Sequence, residues 1–555
     1  MIARLKSTPL LSHSQLAFRI GLARKRLSLY PLDKLDFIMM DLERPEMCSR
    51  HAHWCTGDLT GRMLEFLSCA DGIDGGADTR LPELFDRILR AKRPSGLFGR
   101  SICHPSAQLT IEEHVPTWSY RLFNGLIKYY DLTGDFRALE AAVSTGEWFL
   151  NNADRFMKAY EGGAACPMEL WVSEPLAETY RITRDQRYLD FMSRINERIA
   201  GCDYIHTHGF LATMRGLQLA AIYTGDARWN EKPEHYRRVI IDKHYETVDG
   251  CVTEVLPRSF RNEGCAIADW LMLNLNAGFI SGDDEPYERA ENILWNAMFF
   301  NQFITGGFGH RDMMPNGYAM GPVAEAWWCC TEHCGMAMTE YARNAVTLHD
   351  NVLRINLLTS GKFVAGGIEV QITTSYPSSA ATTIVADKLP ENVKIAVRVP
   401  SCVQNAEVRE VRTANGAQVY LRGSLGHNVY DYEGKALLKY GPLVLSPQVK
   451  YWNPNVADGD GNVPAGYIPS RLPSGPALCV GNAKPGDRLD YARTPIPDWS
   501  NFEMGPGTEL WIEGASVNVP MAFSDGSHRT LWFSPLCVAT SNLSLYDTPF
   551  LFDRI

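Results

Sequence analysis

No run of about 18 apolar residues occurs anywhere in this sequence, so a membrane-spanning helix is not expected. An excess of positive charge is missing as well. The formal net charge is −10, whereas a nucleic-acid groove would need a basic stripe. The composition of a disordered chain or a coiled coil is also absent, because 45% of residues are hydrophobic and 21% charged, close to ordinary globular usage. A disulfide framework is not indicated either. The 14 cysteines scatter through 555 residues, many in apolar helical context such as Cys69 in EFLSCA, which predicts mostly reduced thiols in a reducing compartment. The opening MIARLKSTPLLSHSQLAFRIGLARKRLSLY sets basic residues around a short apolar stretch that Ser, His, Gln and Arg interrupt. That makes a poor signal-peptide core, so a cytoplasmic location is expected, with a periplasmic one as the alternative.

The chain is too long for one compact core, and its length predicts two to four domains. A repeated device organises the first 345 residues: an apolar helical run, a short turn ending in Asp, then an amphipathic helix. The turns fall at Thr133-Gly134-Asp135, Thr183-Arg184-Asp185, Thr224-Gly225-Asp226 and Ser281-Gly282-Asp283. Gly ends one helix in the left-handed conformation and Asp or Thr caps the next, so each copy reads as a helical hairpin. Such hairpins cannot bury their apolar faces alone. Their spacing is too irregular for a solenoid of identical repeats, and a toroid with functional loops at one rim fits better.

After MTEYARNAVTLHDN the hydrophobic period changes to alternation. KIAVRVP places Val393, Ile395, Val397 and Val399 at strand spacing. GGIEVQITTSYP, AQVYLRG and KALLKYGPLVLSP continue the pattern, NPNVADGDGNVPAGYIPSRLPSGP reads as a long loop, and GTELWIEGASVNVPMAF and RTLWFSPLCVA read as further strands. The expected division is a helical domain over 1–345, a β-sandwich over 346–448 and a second β unit over 449–555.

Chemistry concentrates in WWCCTEHCG. Cys329 and Cys330 are adjacent and project in different directions along a helix, so both can bind one metal only where the backbone is irregular. RNEGCAIADW supplies Glu263 and Cys265 just before an apolar helix. Three thiolates and a carboxylate suit tetrahedral Zn²⁺ in number and softness. The competing reading is a set of buried free thiols beside an unrelated carboxylate. His333 and Cys334 are spare ligands. CSRHAHWCTGD groups Cys48, His51, His53 and Cys55 at a spacing that fits no standard zinc knuckle. Trp118, Trp171, Trp327 and Trp328 stand near predicted helix ends, where an aromatic face can stack on a sugar or simply fill the core.

An E-x-C motif at a helix start, a later C-C pair and a helix-to-strand transition after it resemble the β-L-arabinofuranosidases of glycoside hydrolase family 127 and their relatives. GLIKYYDLTGD is similar to a barrel helix of that family, and INLLTSGKFVAGGIEVQITTSYP and GKALLKYGPLVLSP to its sandwich strands. The resemblance implies an (α/α)6 helical barrel followed by β-sandwich domains. It further implies Zn²⁺ held by Glu263, Cys265, Cys329 and Cys330, with Cys329 as nucleophile. A zinc-bound thiol stays ionised, and a polarisable sulfur both attacks and leaves an anomeric carbon well. The acid/base carboxylate that a retaining mechanism also needs matches Glu254, with Glu246 in reserve.

For substrate contacts, EEHVPTWSYRLFNG keeps His114 of the family's H-E-x-Y but has Val115, Thr117, Tyr120 and Arg121 where its other groups stand. DYIHTHGFL offers His206 and His208, and Trp328 adjoins the nucleophile. Arg121 points to an acidic sugar, because its planar fork suits carboxylate. The leading expectation is therefore a zinc-containing retaining exo-glycosidase taking a terminal sugar from a glycan. The alternatives are an enzyme acting on an acidic sugar, or a carbohydrate-binding protein with a structural zinc. A glycan is the expected partner, with no nucleic acid or membrane, and the sandwich extension offers a surface for a homodimer.

Overall fold

A computed structural model of the chain describes residues 4–12, 14–44, 56–73, 76–99, 111–154, 157, 172–303, 305–314, 317–413, 416–447, 470–471, 477–478, 512, 514–523, 528–538 and 548–553. Among them twelve helices build an (α/α)6 barrel. They are α1 (Gln15–Leu27), α2 (Asp58–Ala70), α3 (Leu81–Arg90), α4 (Ile111–Thr133), α5 (Phe136–Asn151), α6 (Ser173–Thr183), α7 (Gln186–Arg198), α8 (Thr207–Thr224), α9 (Glu231–Asp242), α10 (Gly264–Ser281), α11 (Glu285–Asn292) and α12 (Cys330–Asn344). The even-numbered helices form the inner ring. Each packs on the next, and α12 closes onto α2.

Their sequences show why they lie inside. In α8 every residue from Thr207 to Ala221 is buried, and in α10 every residue from Gly264 to Phe279. An outer helix such as α3 buries Leu81, Leu84, Phe85 and Ile88 alone, the single stripe of an amphipathic helix. Where α2 crosses α4, glycine is required for the approach. A Cβ on Gly61 would stand 2.2 Å from the Leu122 nitrogen, and one on Gly125 would stand 2.7 Å from the Gly61 carbonyl.

The four expected turns all join an inner helix to the outer helix that follows. Gly134, Gly225 and Gly282 are left-handed, with φ of 70°, 73° and 78°. Asp135, Asp185 and Asp226 each accept a hydrogen bond from the backbone nitrogen two residues on, at 2.9, 3.0 and 3.0 Å. The fourth turn differs: Asp284 precedes α11 without a side-chain cap, and Pro286 stands in the helix's first turn. Arg184 takes the left-handed position with φ 60°, where an L side chain is strained. Arg184→Gly is therefore expected to stabilise the protein by about 0.5–1 kcal/mol, read as a raised thermal midpoint. An unchanged midpoint would show that the strain is relieved elsewhere.

The β region begins at Val346, directly after α12. A six-stranded sheet runs in the order 404–413, 416–424, 382–387, 368–374, 361–365 and Thr8–Leu11, and Arg4–Lys6 joins a second sheet beside Val346–His349. The opening residues, expected in the helical unit, thus belong to the sandwich sheets, because their short alternating strand completes an otherwise open edge. Strand Lys394–Val397 is present as expected, but its burial does not alternate, Ile395, Ala396 and Val397 all being half-buried, and Arg398 just past it is buried against α11. Strands on both sides of the expected 448/449 division, Leu443–Pro447 and His528–Pro535, pair in one eight-stranded sheet. That division therefore does not separate two sheets. No described helix is long and apolar enough to cross a membrane.

Candidate active site

The inner helices α10 and α12 begin at the same place. Glu263 ends the strand Arg261–Glu263 in extended conformation and caps α10, which puts Cys265 in the helix's first turn. Cys329 caps α12 with φ −150° and ψ −59°, and Cys330 is its first helical residue. This non-helical Cys329 backbone supplies the irregularity that lets adjacent cysteines converge. The Cys265 and Cys330 sulfurs are 3.6 Å apart, those of Cys329 and Cys330 3.7 Å, and all three lie within 4.8 Å of one another. Thiolates on a tetrahedral zinc, at Zn–S of about 2.3 Å, stand about 3.8 Å apart. The three sulfurs thus fit a metal ion in spacing and chemistry. The Glu263 carboxylate and His310 lie within 4.8 Å of one another and of the Cys330 sulfur. Gly264 allows this closeness, since a Cβ there would meet the Cys330 Cβ at 3.0 Å and the Cys334 sulfur at 3.1 Å.

Charge around the sulfurs is uneven. Two helix N-termini point their positive ends at the cluster, which favours thiolate, and the Arg62 guanidinium donates to the Cys265 sulfur at 3.7 Å. Burial pushes the Cys265 and Cys330 thiols far up. Cys329, in contact with both of the other sulfurs, is held below the ordinary thiol value. Glu263 is buried, yet His206, donating from Nε2 at 3.1 Å, keeps its carboxyl low, at about 2.

Below the sulfurs lies a buried polar floor. Arg62 is tied to Asp58 at 2.8 Å and to His208 Nε2 at 3.2 Å, while His208 Nδ1 meets Asp269. Asp269 also receives Arg215 and, at 2.9 Å, His333. Burial, with Arg62 and Arg121 as neighbours, holds both imidazoles well below the usual histidine range, so they stay neutral. His208, Asp269 and His333 cluster closely enough to hold an ion of their own, but Arg215 already pairs with the Asp269 carboxylate, and the guanidiniums of Arg62 and Arg121 lie against the His208 and His333 nitrogens.

These placements sort the sequence-derived residues. Cys265, Cys329 and Cys330 come together, and Glu263, with His206 against it, reaches the cluster at Cys330. Glu254 is half-buried on the adjoining chain; its carbonyl accepts from the Thr207 nitrogen at 2.9 Å, and its charge adds to that of Glu263, which outweighs burial and raises His206. Trp328 is half-buried beside Cys329, whereas Trp327 is buried against Phe37 and Trp328 as core. Arg121 is corrected. It is fully buried, with Glu65 at 3.3 Å, Glu174 at 3.8 Å and His333 at 3.2 Å, so its fork is spent inside the barrel and not offered to a substrate carboxylate. The reserve Glu246 is bound by Trp270 at 2.8 Å and by Arg289, and so it holds the barrel together. His333 and Cys334 stand outside the sulfur cluster; the Cys334 thiol donates to the Gly264 carbonyl at 3.1 Å.

The side chains of His114 and Trp118 lie outside the described residues, as do Trp171 and the Cys48, His51, His53 and Cys55 group. Sequence reading missed His310, Asp269 and Arg62. Only His310 had a usable signal, its place opposite Glu263 in a short strand pair. All cysteines among the described residues are free thiols, most of them buried.

Comparison with known proteins bears on the same stretch. Residues 112–343, from α4 to α12, match the family model described as β-L-arabinofuranosidase, GH127 catalytic domain. No curated protein matches the sequence. Among solved structures, a GH127 β-arabinofuranosidase is similar over 100% of this chain and 98% of its own, at 14% identity and a TM-score of 0.66. A GH127 β-L-arabinofuranosidase from Geobacillus stearothermophilus T6 covers 98% of this chain and 99% of its own, at 13% identity and a TM-score of 0.65. These likenesses extend the shared fold across barrel and sandwich. The stretch that carries the sulfur cluster thus matches the GH127 catalytic-domain model, and the chain is a glycoside hydrolase.

Proposed function

We propose that this enzyme removes a terminal β-L-arabinofuranosyl or closely related sugar from a glycan with retention of configuration, using Cys329 as nucleophile and Glu254 as acid/base. The observation that carries this reading is the convergence of three thiols, 3.6 and 3.7 Å between neighbours, at the N-termini of two inner barrel helices. Glu263, Cys265, Cys329 and Cys330 would hold a zinc ion, which when bound keeps the thiols deprotonated. In the first displacement the Cys329 sulfur bonds to the anomeric carbon as the glycosidic C–O bond breaks, and Glu254 gives its proton to the leaving oxygen. In the second, Glu254 takes a proton from water, whose oxygen displaces the sulfur. His206 holds Glu263 in place, and the half-buried Trp328 offers a ring face to the sugar. The arginine that suggested an acidic sugar is paired inside the barrel and does not support that reading.

The test combines metal analysis with a panel of aryl glycosides. Freshly purified protein is expected to contain about one zinc per chain, since structural and catalytic zinc sites of this ligand type bind tightly. Aryl β-L-arabinofuranoside should be turned over with the same anomer formed first. A chelator should abolish that turnover and lower the thermal midpoint, and added zinc should restore both. Protein free of zinc, or zinc-replete protein inert on the whole panel, would overturn the proposal.

A further inference from the structure

The seam between barrel and sandwich contains a cavity. It measures about 300 Å³ and lies between the start of α1, the π-helical turn Ile293–Met298, the far end of α12 and the sandwich segments around residues 359 and 375. Trp295 is only 5% exposed, and its indole Nε1–H finds no acceptor among the described residues. Thr359, also 5% exposed, has no partner for its Oγ1, and the Gln15 Oε1 is buried without a donor. Buried polar groups of these types are nearly always paired. Three unpaired around one cavity mark a place where a polar molecule completes them.

The lining narrows the class of that molecule. Among the described residues no carboxylate, ammonium or guanidinium lines the cavity, so a charged ligand would find no counter-charge among them. Tyr341 and Tyr376 contribute phenol rings, which burial keeps far above the usual tyrosine range and therefore neutral. The Tyr376 hydroxyl is 3.5 Å from the Cys402 thiol. At the rim stand the hydroxyl residues Ser375 and Ser378. Aromatic faces, an indole donor and hydroxyls without net charge complement a neutral polyol ring, apolar on its faces and hydroxylated at its edge. The volume is at the low end of small-ligand sites, about 300–1,000 Å³, and admits one ring instead of a chain. Tyr341 lies about three turns of α12 beyond Cys330, roughly 16 Å along the helix, so the cavity is separate from the thiol cluster.

We propose that this seam cavity binds a single uncharged sugar unit, with Trp295 donating to a sugar oxygen and Thr359 and Gln15 pairing with its hydroxyls. Because the cavity joins α1 and α12 to the sandwich, occupancy braces the two parts together and raises the thermal midpoint.

Crystals of the full chain soaked in L-arabinose, D-xylose, D-galactose or D-glucose, with saturation-transfer NMR and thermal melting in the same sugars, test this. Two variants, Thr359→Val and Trp295→Phe, each remove one hydrogen-bonding group while keeping the shape. At least one sugar should appear in the seam. Each variant should weaken its binding about tenfold and reduce the thermal shift, with turnover of aryl glycosides unchanged. Water alone in the cavity with all four sugars, or binding that both variants leave intact, overturns the proposal. If Trp295→Phe lowers the melting midpoint without sugar, Thr359→Val alone decides. Turnover is measured separately, so failure of the catalytic reading is distinguishable from failure of this one.

Discussion

Cys329→Ser is expected to leave the barrel folded and to lower kcat on an aryl glycoside by about 10⁴-fold or more, the scale seen when a covalent nucleophile is lost. Serine keeps the size of the side chain but cannot ionise at neutral pH, so the bond to the anomeric carbon does not form. The variant also removes one metal ligand, and a second variant separates the two effects. Cys330→Ser should lower zinc content and activity together and recover part of its activity in excess zinc. Cys329→Ser should stay inactive however much zinc it holds. Glu254→Gln should retain zinc and lose about 10²–10⁴-fold in kcat, the usual contribution of a general acid–base, and much less with a dinitrophenyl leaving group that needs no protonation. A Cys329→Ser enzyme within tenfold of the wild type would end the assignment.

Arg398→Ala should be the most destabilising single change outside the site. The Arg398 side chain is 1% exposed at the seam between α11 and the sandwich, and it donates to Glu288 at 2.5 Å, to Glu291 at 2.7 Å and to the Asn356 carbonyl at 2.5 Å. Glu291 is itself 1% exposed, so alanine leaves a carboxylate buried beside a second one with no cation between them. Breaking a buried pair on one side costs about 3–5 kcal/mol. Arg398→Met combined with Glu291→Leu removes both charges and should recover most of that loss, since an apolar replacement of similar volume is often neutral or better. The measurement is chemical denaturation followed by a signal from each part. The sandwich is expected to come loose before the barrel, a departure from two-state behaviour. A loss below about 1 kcal/mol would place the pair in the class of solvated surface bridges.

The sequence was informative where structure is made locally. The turns at Thr133, Thr183 and Thr224 were readable because a left-handed residue and a capping Asp act within four residues of chain, the turn at Ser281 through its left-handed Gly282 alone, and the helices end where those signals stand. The E-x-C and C-C pairs were readable as ligands because resemblance joined two segments that spacing alone left as buried thiols. Arg121 misled, since an arginine's sequence neighbours do not show that its partners, Glu65 and His333, come from helices far along the chain. The division at 448/449 misled for a related reason: Leu443–Pro447 finds its strand partner nearly ninety residues on, at His528–Pro535.

By itself the sequence determined the alternation of inner and outer helices and the identity of the donor atoms, because caps, turns and side-chain chemistry belong to the chain locally. Only the tertiary structure decided which charges are spent in the barrel floor, which sulfurs meet and where the first strands pair. Those outcomes follow from closing a ring of helices, and closure brings together groups that no short stretch of sequence contains.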